Sequence, residues 1–147
     1  MRSTLKSVLA CLATFGWVTA AGNLPALAQT AEAGIALELN VLQSTDAGCR
    51  AGFLLENKHS SDVEKLEIEA VIFNAENLID RLLILEFGTV AASASKVRLF
   101  QLPDLQCDQV SRVLLNEIIA CDGPALDAST CERSMELNNR TAIKFGR

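Results

Sequence analysis

The chain contains no tyrosine, one tryptophan, one histidine and three prolines among 147 residues, and each shortage closes off a class of function. With His59 alone, a multi-histidine metal centre cannot be assembled, and any Ser-His-Asp constellation would have to be built around this one side chain. His59 lies in "NKHSSD", which reads as a solvated turn between strands, and its neighbours Ser60, Ser61 and Asp62 rarely converge from so short a stretch. There is no C-x-x-C pair for a thiol oxidoreductase or a zinc site, and no glycine-rich phosphate loop. No apolar run approaches the roughly 20 residues of a spanning helix; the longest, Val8 to Ala21, has 14.

That run belongs to an expected export signal. Arg2 and Lys6 precede it, and small residues at Ala26 and Ala28 follow, the pattern of a cleaved secretory leader with the cut between Ala28 and Gln29. Without a twin arginine, the general secretion route is expected. Cleavage discards residues 1–28, including Cys11 and Trp17. It removes two of the 13 basic residues and none of the 18 acidic ones, so the net charge moves from −5 to −7. A mature chain of that sign, with five phenylalanines as its only aromatics, is a poor fit to nucleic acid, to an anionic membrane surface and to sugar platforms.

Residues 29–34 read as a flexible start and 35–147 as one domain. From Ile35 the apolar residues recur mostly at every second position, the strand period. Ile35, Leu37, Leu39 and Val41 share one side; so do Cys49, Ala51, Phe53 and Leu55; so do Leu66, Ile68, Ala70 and Ile72, with Lys65, Glu67 and Glu69 opposite. "LIDRLLILEF", "KVRLFQL", "RVLLNEIIA" and "TAIKF" complete seven short strands. The expected fold is therefore all-β, an immunoglobulin-like antiparallel β-sandwich. The segment from Cys107 to Cys121 is ambiguous, because its apolar residues also fall at three- and four-residue spacings. It is read as a short helical turn over residues 108–111, capped by Asp104 or Asp108, running into a strand from Arg112.

Four mature cysteines in an oxidising compartment form an even set with three possible pairings. Cys49 and Cys107, on strands of facing sheets, are the favoured long bridge, which leaves Cys121 with Cys131 across "CDGPALDASTC". Cys107 with Cys121 plus Cys49 with Cys131, and Cys49 with Cys121 plus Cys107 with Cys131, stay open as alternatives. The segments "ALELNVLQ…CRAGFLLEN", "LEIEAVIFNAENLIDRLLILEFG" and "KVRLFQLPDLQCDQVSRVLLNEIIAC" with the late cysteine resemble a family of small secreted bacterial proteins of uncharacterised function. Asn57 and "VIFN", where Asn74 replaces an aspartate, are similar to recurring features of secreted immunoglobulin-like modules. The resemblance implies a fold and an address; it implies no activity and no catalytic residue.

Chemistry-bearing clusters are sparse. Glu67 and Glu69 on one strand face could present two acids to a substrate, but that spacing is also the ordinary solvent face of a half-buried strand. Asp104, Asp122 and Asp127 lack the dense spacing of a calcium loop. "NRT" at residues 139–141 matches a glycosylation sequon, which carries little meaning in a bacterial host. The one feature above background is "LIDRLLILEF", apolar on both faces: Ile79, Leu83, Leu85 and Phe87 alternate with Leu82 and Ile84. Unless the N-terminal segment or the "CDGPALDASTC" loop covers it, its outer side, with Val71 and Phe73, is expected to form a contact surface. The expected function is a periplasmic or secreted, non-catalytic binding or accessory domain, without cofactor or metal, whose partner is an envelope protein or a second copy. The rivals are a small enzyme using Glu67 and Glu69, or Cys121 and Cys131, and a structural or stress-protective protein without a specific ligand.

Overall fold

A computed structural model describes residues 33–147; the expected leader and most of the flexible start lie outside the described residues. The strands are β1 (Ile35–Thr45), β2 (Gly48–Asn57), β3 (Lys65–Asn74), β4 (Ile79–Glu86), β5 (Ser95–Pro103), β6 (Val110–Asp122), β7 (Met135–Asn139) and β8 (Lys144–Gly146). One α-helix, α1 (Ala128–Ser134), stands between β6 and β7. They form two four-stranded sheets, in the orders β5-β2-β1-β7 and β4-β3-β6-β8, packed as a sandwich. All pairings are antiparallel except two: β7 runs parallel to β1, and β8 runs parallel to β6.

Alternation builds the interior where it is clean. Cys49, Ala51, Phe53 and Leu55 from β2 face Leu66, Ile68, Ala70 and Ile72 from β3, every one at most 2% exposed. At about 25 cal/mol per Å² of apolar surface, this double row is the main term favouring the fold. Four of the five phenylalanines of the described chain then close the centre. The Phe53 ring meets Phe87, Phe100 and Phe145 edge-on at 6.0, 5.8 and 5.9 Å, and Phe87 meets Phe100 at 5.4 Å. These rings come from both sheets, so the cluster fixes the spacing between layers.

Two expected faces are overturned by β-bulges. The register of β1 on β2 shifts between Leu39 and Val41, with Asn40 as the extra residue. A one-residue insertion reverses which side chains point inward. Val41, expected inside, is 42% exposed, while Leu42 turns onto the core. Likewise the β3–β4 register shifts after Ile72, which sets Ile79 opposite the outward Phe73 and leaves it exposed.

The ambiguous segment is a 3-10 turn at Cys107–Gln109 followed by strand β6 from Val110. Its cap position is Gln106, without a side-chain cap bond; Asp104 instead adopts a left-handed backbone at φ 59°, so neither expected aspartate caps it. Three register shifts between β3 and β6 explain the misleading spacing. They bury Val110, Val113, Leu115, Ile118 and Cys121, a bulged strand whose inward residues imitate a helical repeat.

The stretch expected as a plain loop carries α1, and sequence reasoning also passed over β7. The Asp127 carboxylate accepts the Thr130 backbone N–H at 2.7 Å and Ser129 Oγ at 2.9 Å, an N-cap that starts the helix. The Thr130 backbone N–H, followed by the Thr130 and Ser129 side chains, holds the carboxyl below its ordinary pKa. A folded pKa below the unfolded one contributes stability that is complete above the ordinary aspartate range and is lost as pH falls through the folded value. Asp127→Ala is therefore expected to lower Tm by a few degrees at neutral pH. The gap from wild type should close on acidification below the aspartate range, read by circular dichroism melts across pH.

Candidate functional site

Both favoured cysteine pairs are bonded: Cys49 with Cys107, Cα atoms 4.8 Å apart, and Cys121 with Cys131, 6.4 Å apart. The first ties β2 of one sheet to the turn that enters β6 of the other. The second ties the far end of β6 to α1, whose Cys131 is fully buried. The sulfur atoms are thus engaged in fastening the two ends of one strand. Among the described residues, no helix is long and apolar enough to cross a membrane.

Of the residues expected to carry a contact surface, β3 and β4 bring all four to the outer face of the β4-β3-β6-β8 sheet. Leu82 and Ile84 stand 56% and 50% exposed. Val71 is paired with Leu82 on one side and Leu114 on the other, and is only 5% exposed. This corrects its expected role: Val71 supports the patch from beneath and does not itself present a surface. Phe73 is half-buried, with the Arg112 guanidinium 5.4 Å above its ring. Ile79 and Leu78, missed from sequence, extend the patch along β4 and its preceding turn at 61% and 64% exposure. The signal for Ile79 was the bulge, which periodicity alone does not reveal.

The patch is not capped by the disulfide loop. Leu126, Ala128 and Met135 pack against the core, so α1 and its flanks are spent on the sandwich interior. Around the apolar centre the same face carries Glu67 beside Glu86, and Glu69 beside Glu117. Glu67 pairs with Lys65 at 3.1 Å, and Glu69 accepts from Asn116 Nδ2 at 2.6 Å. These partners belong to a solvated acidic rim beside Leu82 and Ile84.

The other singled-out polar residues have structural employment. Asn57, 2% exposed, donates through Nδ2 to the carbonyls of Ser61, Val90 and Ala91, and accepts the His59 backbone N–H. It locks the β2–β3 connection against the segment after β4. His59 is half-buried rather than solvated, its Nε2 enclosed without a hydrogen-bond partner among the described residues. Asp104 lies in the turn after β5, Asp122 ends β6 and Asp127 caps α1. Among the described residues, no group of three His, Cys, Asp or Glu side chains is gathered as a metal site would gather them. Asn139 of the sequon accepts from Thr141 N and Oγ1 and donates to Ile143 O, a turn that joins β7 to β8.

A second feature lies on the lateral side of the sandwich. A groove of about 600 Å3 runs beside the last residues of β1, walled by the link between β7 and β8 and floored by the start of β6. On both sheets' facing edges β4 and β5, by contrast, arginines reach across. Arg98 donates to the Glu86 carbonyl at 3.0 and 3.2 Å, and Arg81 donates to the Pro103 carbonyl at 2.7 Å. Searched against family models, curated proteins and solved structures, the chain finds no match, so fold and site rest on its own residues.

Proposed function

We propose that the chain is an exported, disulfide-stapled binding domain of the bacterial envelope that acts by protein–protein contact and not by catalysis. The observation that carries this is the half-exposed pair Leu82 and Ile84, continued by Leu78 and Ile79 on one strand and its turn. Single exposed apolar residues are ordinary, whereas Leu78, Ile79, Leu82 and Ile84, clustered on β4 and its turn with the buried Val71 beside Leu82, form a patch of the kind partners cover. The acidic rim of Glu67, Glu69, Glu86 and Glu117 favours a partner with basic groups at the matching border. Two disulfides support an oxidising address. That β5 returns beside β2 and β6 beside β3 supports an immunoglobulin-like relationship, from which the parallel strands β7 and β8 depart.

The test replaces Leu82 and Ile84 together with lysine. Both side chains are exposed, so the double variant is expected to fold and melt within about 1 kcal/mol of wild type. Wild type is expected to form a dimer or a crosslinked envelope complex by size-exclusion and crosslinking, and the double variant to lose it. A wild-type protein that stays strictly monomeric and captures nothing from envelope extract removes this reading.

A further inference from the structure

The groove beside β1 exists because of how the last part of the chain is divided between two strands. After β6 the chain forms α1, bonded through Cys131 to the far end of β6. It then lays β7 along residues 35–39 of β1, crosses through residues 140–143, and lays β8 along residues 112–114 of β6. The first half of β1 is therefore covered by β7, and β6 is covered by β8 at one end and α1 at the other. Residues 40–45 of β1 have β2 on one side and, among the described residues, no strand on the other. The groove of about 600 Å3 lies along that bare edge.

Its surfaces suit an extended peptide. Six residues of strand at about 3.3 Å each offer roughly 20 Å of unpaired backbone donors and acceptors. Leu42, Ile143 and buried Val110 supply an apolar floor onto which every second side chain of an added strand would point. The far wall is held in place before any ligand arrives. Arg140 donates its backbone N–H to the Leu39 carbonyl at 2.9 Å and its Nε to Glu38 at 3.1 Å, and the Asn139 turn fixes the residues that follow. A preformed site avoids the ordering cost of closing around a ligand.

The protection of the β4 and β5 edges makes the bareness of this one informative. Sheet edges invite unwanted pairing, and proteins guard them with Lys, Arg or Pro. On β4 and β5 the guard is present, as Arg81 and Arg98 engage carbonyls of the opposite edge. The sequence of residues 40–45, "NVLQST", has no charge and no proline. The wall at residues 140–143 also restricts what can enter. Because the groove is bounded by that wall as well as by β1, an extended segment lying in it suits the site better than the flat edge of a second sandwich.

We infer that residues 40–45 of β1 and the groove beside them are a strand-addition site, taking an extended segment of a partner polypeptide with apolar residues at alternate positions. The segment continues the sheet behind β7, its backbone bonding to β1 and its apolar side chains resting on Leu42, Val110 and Ile143. This site is separate from the Leu82 and Ile84 patch and does not depend on it.

The experiment pans the full-length, oxidised protein with a displayed library of random peptides and synthesises the enriched sequences as probes. Expected are peptides with alternating apolar residues, whose binding slows exchange at those amides of residues 41–45 that face away from β2. Binding should weaken at least about tenfold when alternate backbone nitrogens of the probe are methylated. Two variants with melting curves like wild type, Ala142→Trp to narrow the groove and Ser44→Lys to guard the edge, should each weaken it by a similar factor. The Leu82→Lys, Ile84→Lys variant should bind the probe as wild type does. The inference is overturned if no alternating peptide is enriched, or if protection falls outside residues 41–45. It is equally overturned if binding survives probe methylation and both groove variants, or if the amides of residues 41–45 that face away from β2 are already protected in the free protein because two copies pair there.

Discussion

Replacing Cys49 and Cys107 together by alanine is expected to lower the unfolding free energy by about 4 kcal/mol, the loop-closure entropy of a 58-residue ring. For a domain of this size, whose total stability is on the order of 5–15 kcal/mol, that leaves a marginal fold. The physical cause lies mainly in the unfolded chain, which the bridge prevents from exploring its most open conformations. The bridge also acts in the native state, because it joins β2 of one sheet to the turn that launches β6 of the other. Removing Cys121 and Cys131 instead, a ring with a sequence separation of 10, is expected to cost roughly 2.7 kcal/mol. Urea unfolding of the two double variants, with the oxidised parent alongside, checks the ranking. If the long bridge proves the cheaper to lose, or if the parent melts identically with and without reductant, the covalent account of this fold is wrong.

Phe53→Ala should be comparably severe, about 3–5 kcal/mol, through a cavity at the meeting point of three other rings. Phe53 comes from β2, Phe100 from β5, Phe145 from β8, and Phe87 follows β4, so the cavity opens between the layers and neither sheet can collapse alone to fill it. The matching control is Phe73→Ala, the one phenylalanine of the described chain on the outer face. It forfeits a stack with Arg112 and part of its contact area, and is expected to cost no more than about 1 kcal/mol. Thermal melts should separate the two by on the order of 10 °C. Equal losses would mean that the ring cluster does not organise the interior.

Strands β2 and β3 were readable residue by residue, since both alternate without interruption and the sandwich buries one face of each. Asn40 and the register shift after Ile72 were not readable. A bulge is an extra residue accommodated by pairing with a neighbour, and nothing in β1 or β4 alone announces which residue the neighbour will skip. The same device, used three times on β6, turned a strand into an apparent helix. Strand β7, "MELNN", is half polar because it is a short edge with little to bury, so periodicity had no purchase on it. Helix α1 did leave a trace, Asp127 three residues before Thr130. Its seven residues, however, are too few for an apolar stripe, and the spacing of Cys121 and Cys131 pointed to a tight ring. For the contact patch, the apolar excess of "LIDRLLILEF" located the strand correctly. The burial of Val71 and the exposure of Ile79 depended on cross-strand neighbours. The groove beside β1 had no sequence signature, because it is made by where β7 stops.

The positions of the two sulfur bridges bear on how the molecule answers a mechanical load. If tension is applied at its two ends, the segments 50–106 and 122–130 are short-circuited and cannot lengthen while the bonds hold. Only the stretches outside those rings can pay out. The first of these to be loaded, β1 at one end and β8 at the other, run parallel to β7 and β6, so the pull shears those hydrogen bonds together and does not unzip them one by one. An oxidised molecule under tension would therefore yield late and extend little, and reduction would convert it into a long, compliant leash.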